Sequence, residues 1–195
     1  PNESESRAVP SRWPRRLARI AVALAALLAI GVLLAGLLWA VVMRDLPDAE
    51  RLAAYHPPLP TQVRDSRGDP LFSFARERRV YLPIEEIPPL VINAFLSAED
   101  RTFFTHGGLD YPGIASAVVT NIRGLFGDGS RPVGASTITQ QVAKNLLLSN
   151  EVTLTRKLRE AVLARRIEEV LTKEQILELY LNEIFLGRNA YGVEA

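Results

Sequence analysis

Glu99-Asp100-Arg101-Thr102-Phe103-Phe104-Thr105-His106-Gly107-Gly108-Leu109-Asp110 sets two adjacent carboxylates, an aromatic pair, an imidazole and a further carboxylate around a glycine turn. Upstream, Pro88-Pro89 suits a helix start, and Leu90, Val91, Ala94, Phe95 and Ala98 recur at helical spacing. Glu99 is therefore expected at the end of an apolar-faced helix, on the wall of a cleft. There Phe95, Phe103 and Phe104 would strip water from the carboxylate, making it a better base near neutrality. Taken singly, each residue has a plain use: Glu99 and Asp100 as a solvated helix end, His106 in a turn, Asp110 as a cap. Taken together at this spacing, they point to a site that moves protons.

A second polar block is Gly134-Ala135-Ser136-Thr137-Ile138-Thr139-Gln140-Gln141. Ser136 is expected as the N-cap of a helix with Ile138, Val142 and Leu146 on one side and Thr137, Gln141 and Lys144 on another. A helix N-terminus is also an anion site, so its N–H groups and the Lys144 ammonium could hold a phosphate together. Nothing marks Ser136 as a nucleophile, since His106 is the only histidine available as its base. A third block, Arg156-Lys157-Leu158-Arg159-Glu160, reads by itself as surface ion pairs of ~0.3–0.5 kcal/mol each. Lys173, Glu178, Tyr180 and Asn182 share a helix with the core-like Ile176, Leu177, Leu181 and Ile184, and are expected to be structural.

The 23 basic residues are 20 arginines and only three lysines, Lys144, Lys157 and Lys173. Each lysine lies in or beside a polar block of the second half. An ammonium is a flexible point charge where a guanidinium is a planar fork, so these positions are expected to need the former. The net charge of +1 argues against a nucleic-acid partner. Cysteine is absent, which removes disulfides and thiolate metal sites.

No charge occurs between Arg19 and Arg44, and residues 20–43 are long and apolar enough to cross a bilayer core of ~30 Å. Trp13 and Trp39 flank the run, and Arg7, Arg12, Arg15, Arg16 and Arg19 precede it. The positive-inside rule then places a cytoplasmic tail at 1–19, a transmembrane helix at 20–43 and everything later outside. A cleaved signal peptide has a shorter apolar core, and a buried soluble helix is rarely apolar all round at this length. Residues 44–60, with His56 among prolines, read as a linker, and the extramembrane domain as 61–195. That domain is expected to be mainly α-helical after a small β-hairpin, with strands at 61–64 and 71–74 and a further short strand at 80–82. Asp110 should cap a helix running to Gly124, and the glycine-bearing segment 125–133 should be mobile. Helices are also expected from Leu154 to about Leu171, and from the capping box Thr172-Lys173-Glu174-Gln175 to Gly187.

With these blocks assembled, the chain resembles the family 51 glycosyltransferase domain of peptidoglycan polymerases, in its class A penicillin-binding protein form of the 1A type. The resemblance rests on Glu99-Asp100 with Phe103, His106, Gly108 and Asp110; on Gly134 with 136–141; on Arg156-Lys157 with Glu160; and on Lys173 with Ile176-Leu177-Glu178 and Tyr180-Leu181-Asn182. A fifth block begins at Gly187 with 190–193. The likeness spans roughly residues 59–195 and stops inside the fifth block, so the domain is expected to be truncated at its C-terminal end. The acylation signature Ser-x-x-Lys of a transpeptidase does not occur in this span.

That resemblance implies a lysozyme-like helical fold in a bacterial cytoplasmic membrane, polymerising lipid II into β-1,4-linked glycan and releasing undecaprenyl pyrophosphate. It implies Glu99 as the base on the acceptor hydroxyl and Glu160 as a second essential carboxylate. Lys144, Arg156 and Lys157 become the cations for the leaving group, and Asp100, Phe103, His106, Ser136, Thr137, Gln140 and Gln141 substrate-binding residues. A divalent cation, Mg or Mn, is the one cofactor it raises, without assigned ligands. Its implied partners are lipid II, the growing glycan, the membrane and other cell-wall synthesis proteins.

Two other readings compete. A membrane-anchored muramidase or lytic transglycosylase would cut the same glycan, but needs an acid for a sugar leaving group and no pyrophosphate site. A non-catalytic scaffold of cell-wall synthesis gives no reason for Glu99.

Overall fold

The computed structural model describes residues 13–44, 46–55, 61–74, 78–128, 132–149 and 151–194. The chain divides into two units, one ending at Arg44 and the other beginning at Asp45. The described residues of the first form a single helix, α1 (Trp13–Met43). Its 28-residue stretch Arg16–Met43 is long and apolar enough to cross a membrane, with a mean hydropathy of 2.8 over an 18-residue window. The tail at 1–12 and His56 lie outside the described residues.

The second unit is mainly helical, as the residue pattern requires. Strands β1 (Thr61–Arg64) and β2 (Pro70–Phe74) form the expected antiparallel hairpin, Thr61 opposite Phe74. Its turn is fixed by Asp65, whose carboxylate accepts from the N–H groups of Arg67 and Asp69 at 2.8 and 2.9 Å. Those backbone donors hold the Asp65 carboxyl below its ordinary value. The next strand, β3, is Arg78–Arg79 rather than 80–82. Leu82 is claimed by a later helix instead: Asn182 Oδ1 accepts from Leu82 N–H at 2.8 Å while its Nδ2 donates to Leu82 O at 2.8 Å.

Five further helices follow: α2 (Pro89–Glu99), α3 (Tyr111–Arg123), α4 (Ile138–Leu147), α5 (Leu154–Val170) and α6 (Lys173–Glu183). Asp110 caps α3 by accepting from Gly113 N–H at 3.0 Å, and Thr172 and Gln175 close the capping box of α6. After α3 the chain continues as a π-turn, Gly124–Asp128. Asn121 then pins both backbone groups of Val133, while residues 129–131 of the stretch expected to be mobile lie outside the described residues.

Helix α6 stops four residues short of Gly187. Ile184 turns extended, and β4 (Phe185–Gly187) pairs with β5 (Ala190–Tyr191) through Arg188 and Asn189, both at positive φ. That left-handed pair reverses the chain, which a helix cannot do. β3 joins β5 in parallel, giving the order β3-β5-β4.

The core lies where α4 packs against both α5 and α6. Ile138, Val142 and Ala143 of α4 meet Leu163 and Ile167 of α5 and Ile176, Leu177, Tyr180 and Leu181 of α6, all buried. Each fully buried large side chain contributes ~1.5–3 kcal/mol. Ala49 and Leu52, in the stretch expected as a linker, also join this core.

Candidate functional site

Helix α2 delivers Glu99 at its C-terminal end, and the backbone then turns sharply at Asp100 (φ −159°, ψ 81°). The two neighbouring carboxylates therefore face opposite ways. Glu99 is exposed, on the wall of an open cavity of about 510 Å³. Asp100 is 6% exposed and points into the protein. The desolvation of Glu99 expected from three phenylalanines does not occur. Phe103 is drawn into the core, and its ring meets His106 and Phe104 edge-on.

Asp100 ties the site's framework together. Both of its oxygens lie 3.0 Å from His106 Nε2, and Oδ2 also accepts from Ile138 N–H at 3.0 Å. One carboxylate thus anchors the start of α4. The N-cap of α4 is Thr137, not Ser136: Thr137 Oγ accepts from Gln140 N–H, and Gln140 Oε1 accepts from Thr137 N–H at 3.0 Å. Thr137 also donates to Gly108 O at 2.7 Å. The N–H groups of Thr137, Ile138 and Gln140 are therefore already engaged by side chains. The helix N-terminus is not the open anion site expected, and the cationic groups beside it are side chains.

Those side chains converge in a second cavity of about 250 Å³, lined by Ser136, Gln140, Gln141, Lys144, Arg156, Lys157 and Glu160. At its floor Glu160, only 3% exposed in its side chain, accepts from Arg156 Nη1 and, at 2.8 Å, from Lys157 Nζ. These are not the surface ion pairs that i,i+3 and i,i+4 spacing suggested. A charge held this deep must be paired, and removing one partner of a buried pair costs ~3–5 kcal/mol. Lys157 also donates to Ser136 Oγ at 2.7 Å. Arg156 Nε is buried without a hydrogen-bond partner among the described residues. Lys144 has neither ion pair nor hydrogen bond among the described residues, though its side chain lines this cavity. Ser136 lines both cavities, and Gln141 Nε2 bridges them by donating to Glu99 Oε2 at 2.7 Å.

A sequence model of the transglycosylase family matches residues 67–195 of this chain. The chain belongs to the transglycosylase family. It is 52% identical over 152 residues to penicillin-binding protein 1A of Rickettsia felis, covering 78% of this chain and 19% of that protein. Identity to penicillin-binding protein 1A of Aquifex aeolicus is 46% over 154 residues, with coverages of 79% and 21%. For that of Neisseria lactamica it is 47% over 147 residues, with coverages of 75% and 18%. The chain spans about a fifth of the length of these curated relatives. The family expected from the sequence blocks is borne out.

Within this transglycosylase chain the expected site residues fall into two groups. Glu99, Ser136, Gln140, Gln141, Lys144, Arg156, Lys157 and Glu160 share the two cavities. Phe103, His106 and Thr137 are turned inward, and Asp100 gives its carboxylate to the framework; they hold the others in place. Lys173 belongs to the same framework: its Nζ donates to His106 O and to Glu168 at 2.7 Å each and sits 4.3 Å over the Phe103 ring.

The larger cavity also uses residues that the sequence reading passed over. Gly113, Ser116, Ala117 and Thr120 of α3 line it, together with Ser97 and Thr102. Their signal was available as a stripe of small and hydroxyl-bearing residues at i, i+3, i+4 and i+7.

Glu99 and Glu160 would be the natural carboxylates for a divalent ion. Both oxygens of Glu160 already face cations, and the described residues contain no group of three acidic, His or Cys side chains that could hold a metal. This donor set does not fit a metal site built by the protein.

Proposed function

We propose that the chain polymerises lipid II, a disaccharide-peptide on undecaprenyl pyrophosphate, into β-1,4-linked glycan. Glu99 takes the proton from the acceptor's 4-hydroxyl, whose oxygen attacks the donor's anomeric carbon with inversion. The pyrophosphate departs as an anion, so it needs positive charge more than a proton donor. Lys144, Arg156 and Lys157 supply that charge, with Ser136 and Gln141 between them and the base. The α1 helix anchors the chain in the bacterial cytoplasmic membrane, with the N-terminus in the cytoplasm and the catalytic domain outside.

The observation carrying this reading is the Lys144 ammonium, without a partner among the described residues, in a cation-lined cavity one hydrogen bond away from a solvent-facing carboxylate. The orphaned Arg156 Nε points the same way, because a buried donor without a partner costs ~1–3 kcal/mol that a bound phosphate oxygen would recover. A glycan hydrolase has no use for this cation cluster, and a scaffold has no use for the carboxylate facing it. The test is to incubate the intact protein with labelled lipid II and compare it with Glu99→Gln. Glycan strands that vanish on substitution support the polymerase. Strands made equally well by Glu99→Gln, or shortening of preformed glycan, refute it.

A further inference from the structure

Tyr180 is among the most buried side chains of the protein, at 1% exposure, yet its hydroxyl has no hydrogen-bond partner among the described residues. Phenols buried in a core ordinarily find an acceptor. Its ring stands edge-on to Phe95 with centroids 6.0 Å apart. Phe95 and Glu99 are four residues apart on α2, so they occupy the same helix face one turn from each other. Tyr180 therefore sits beneath the turn of α2 that ends in the base. Burial first, and then the Glu99 charge, hold its phenol well above the ordinary value, so it stays a protonated donor throughout the working pH range.

We propose that Tyr180 is a positioning residue for Glu99, its hydroxyl donating to the carboxylate when that side chain leaves Gln141 to receive the acceptor's proton. This rests on the reading of Glu99 as the base. A carboxylate has two oxygens, and the oxygen that accepts the sugar proton cannot keep a strong donor of its own. With Gln141 displaced by substrate, the other oxygen needs a donor that solvent cannot replace, or the group swings freely at the end of its helix. Tyr180 lies on the core side of that end, where no water competes. Loss of a donor to the ionised form would also favour the protonated form, and so move the acid limb of the rate profile upward.

The test is Tyr180→Phe in the intact protein, which keeps the ring and removes only the oxygen. The expected result is a kcat for lipid II polymerisation lowered about ten-fold with KM within two-fold, equivalent to ~1.4 kcal/mol in the transition state. The acid limb of the pH profile moves up by about half a unit or more, while the thermal midpoint is unchanged or higher. A wild-type kcat and pH profile would overturn the proposal. So would a loss of rate that follows a lowered midpoint with the acid limb in place, the signature of packing alone. Glu99→Gln separates the two ideas: if it stays active, the base assignment is wrong. If it is inactive while Tyr180→Phe matches wild type, only the role of Tyr180 falls.

Discussion

Gln141 Nε2 donates a 2.7 Å hydrogen bond to Glu99 Oε2, joining α4 to α2 across 42 positions of sequence. It orients the exposed carboxylate toward the cation-lined cavity. Gln141→Ala leaves the resting carboxylate without that partner and should act on KM while keeping kcat within about two-fold, because substrate displaces this bond before the proton moves. Gln141→Glu sets a like charge against it and should lower kcat at least about a hundred-fold, ~2.7 kcal/mol. Steady-state polymerisation of labelled lipid II measures both.

Lys144 offers a point charge that no side chain among the described residues pairs with. Lys144→Ala should raise KM for lipid II by about ten-fold or more, since a charge-assisted hydrogen bond contributes ~1.5–3 kcal/mol. Lys144→Arg should also impair turnover, because a planar fork does not replace a compact ammonium in a cavity of this size. Wild-type kinetics in Lys144→Arg would reject the point-charge argument at this position.

Glu160 is the anion that lets Arg156 and Lys157 approach each other. Replacing it by Ala leaves the largely buried Arg156 without its counter-charge, while the half-exposed Lys157 can turn to water. The expected loss is about 3 kcal/mol of folding stability, the low end for a broken buried pair. Chemical denaturation should show it alongside the loss of activity.

Gly108 brings the turn after His106 against α5. Its φ is +87°, and a Cβ there would lie 2.7 Å from Ala164 O. Gly108→Ala should therefore cost roughly 2–4 kcal/mol through backbone strain and overlap. It should also loosen Thr137, whose hydroxyl is held by the Gly108 carbonyl. Thermal unfolding of the variant measures the stability loss.

Tyr81 donates to Glu178, and burial, then that hydrogen bond, push its phenol up from its ordinary value. The unfolded chain releases this proton near pH 10 and the folded chain only at higher pH. Between those points the folded state binds more protons, so stability falls as pH rises, and the contribution is complete below pH 10. Thermal midpoints measured from pH 9 upward should decline, and Tyr81→Phe should decline less steeply.

Helical spacing made α2, α3, α5 and the capped start of α6 legible because each carries its stop and start signals locally. The polar blocks were legible as a set, and six of their residues line one small cavity together with Lys144. What the sequence hid was direction. Nothing in Glu99-Asp100 says that one carboxylate faces solvent and its neighbour the core, because that depends on the backbone turn at Asp100. Ser136 and Thr137 are equally good caps by residue type. Thr137 takes the role because Gly108 O, 29 residues away, accepts its hydroxyl hydrogen. The end of α6 was missed because Arg188 and Asn189 turn left-handed, which residue type alone does not predict for arginine.

The bond from Asp100 to Ile138 N–H has a mechanical meaning. Residue 99 carries the candidate base, and residue 138 opens the helix that carries Gln141 and Lys144. A single carboxylate one residue from the base thus sets where the cation wall begins. The walls that carry Glu99 and Lys144 behave as one gauge block: neither can be shifted along its own helix without dragging the other. Any change in the spacing of this candidate site must therefore come from side-chain length, not from sliding the walls apart.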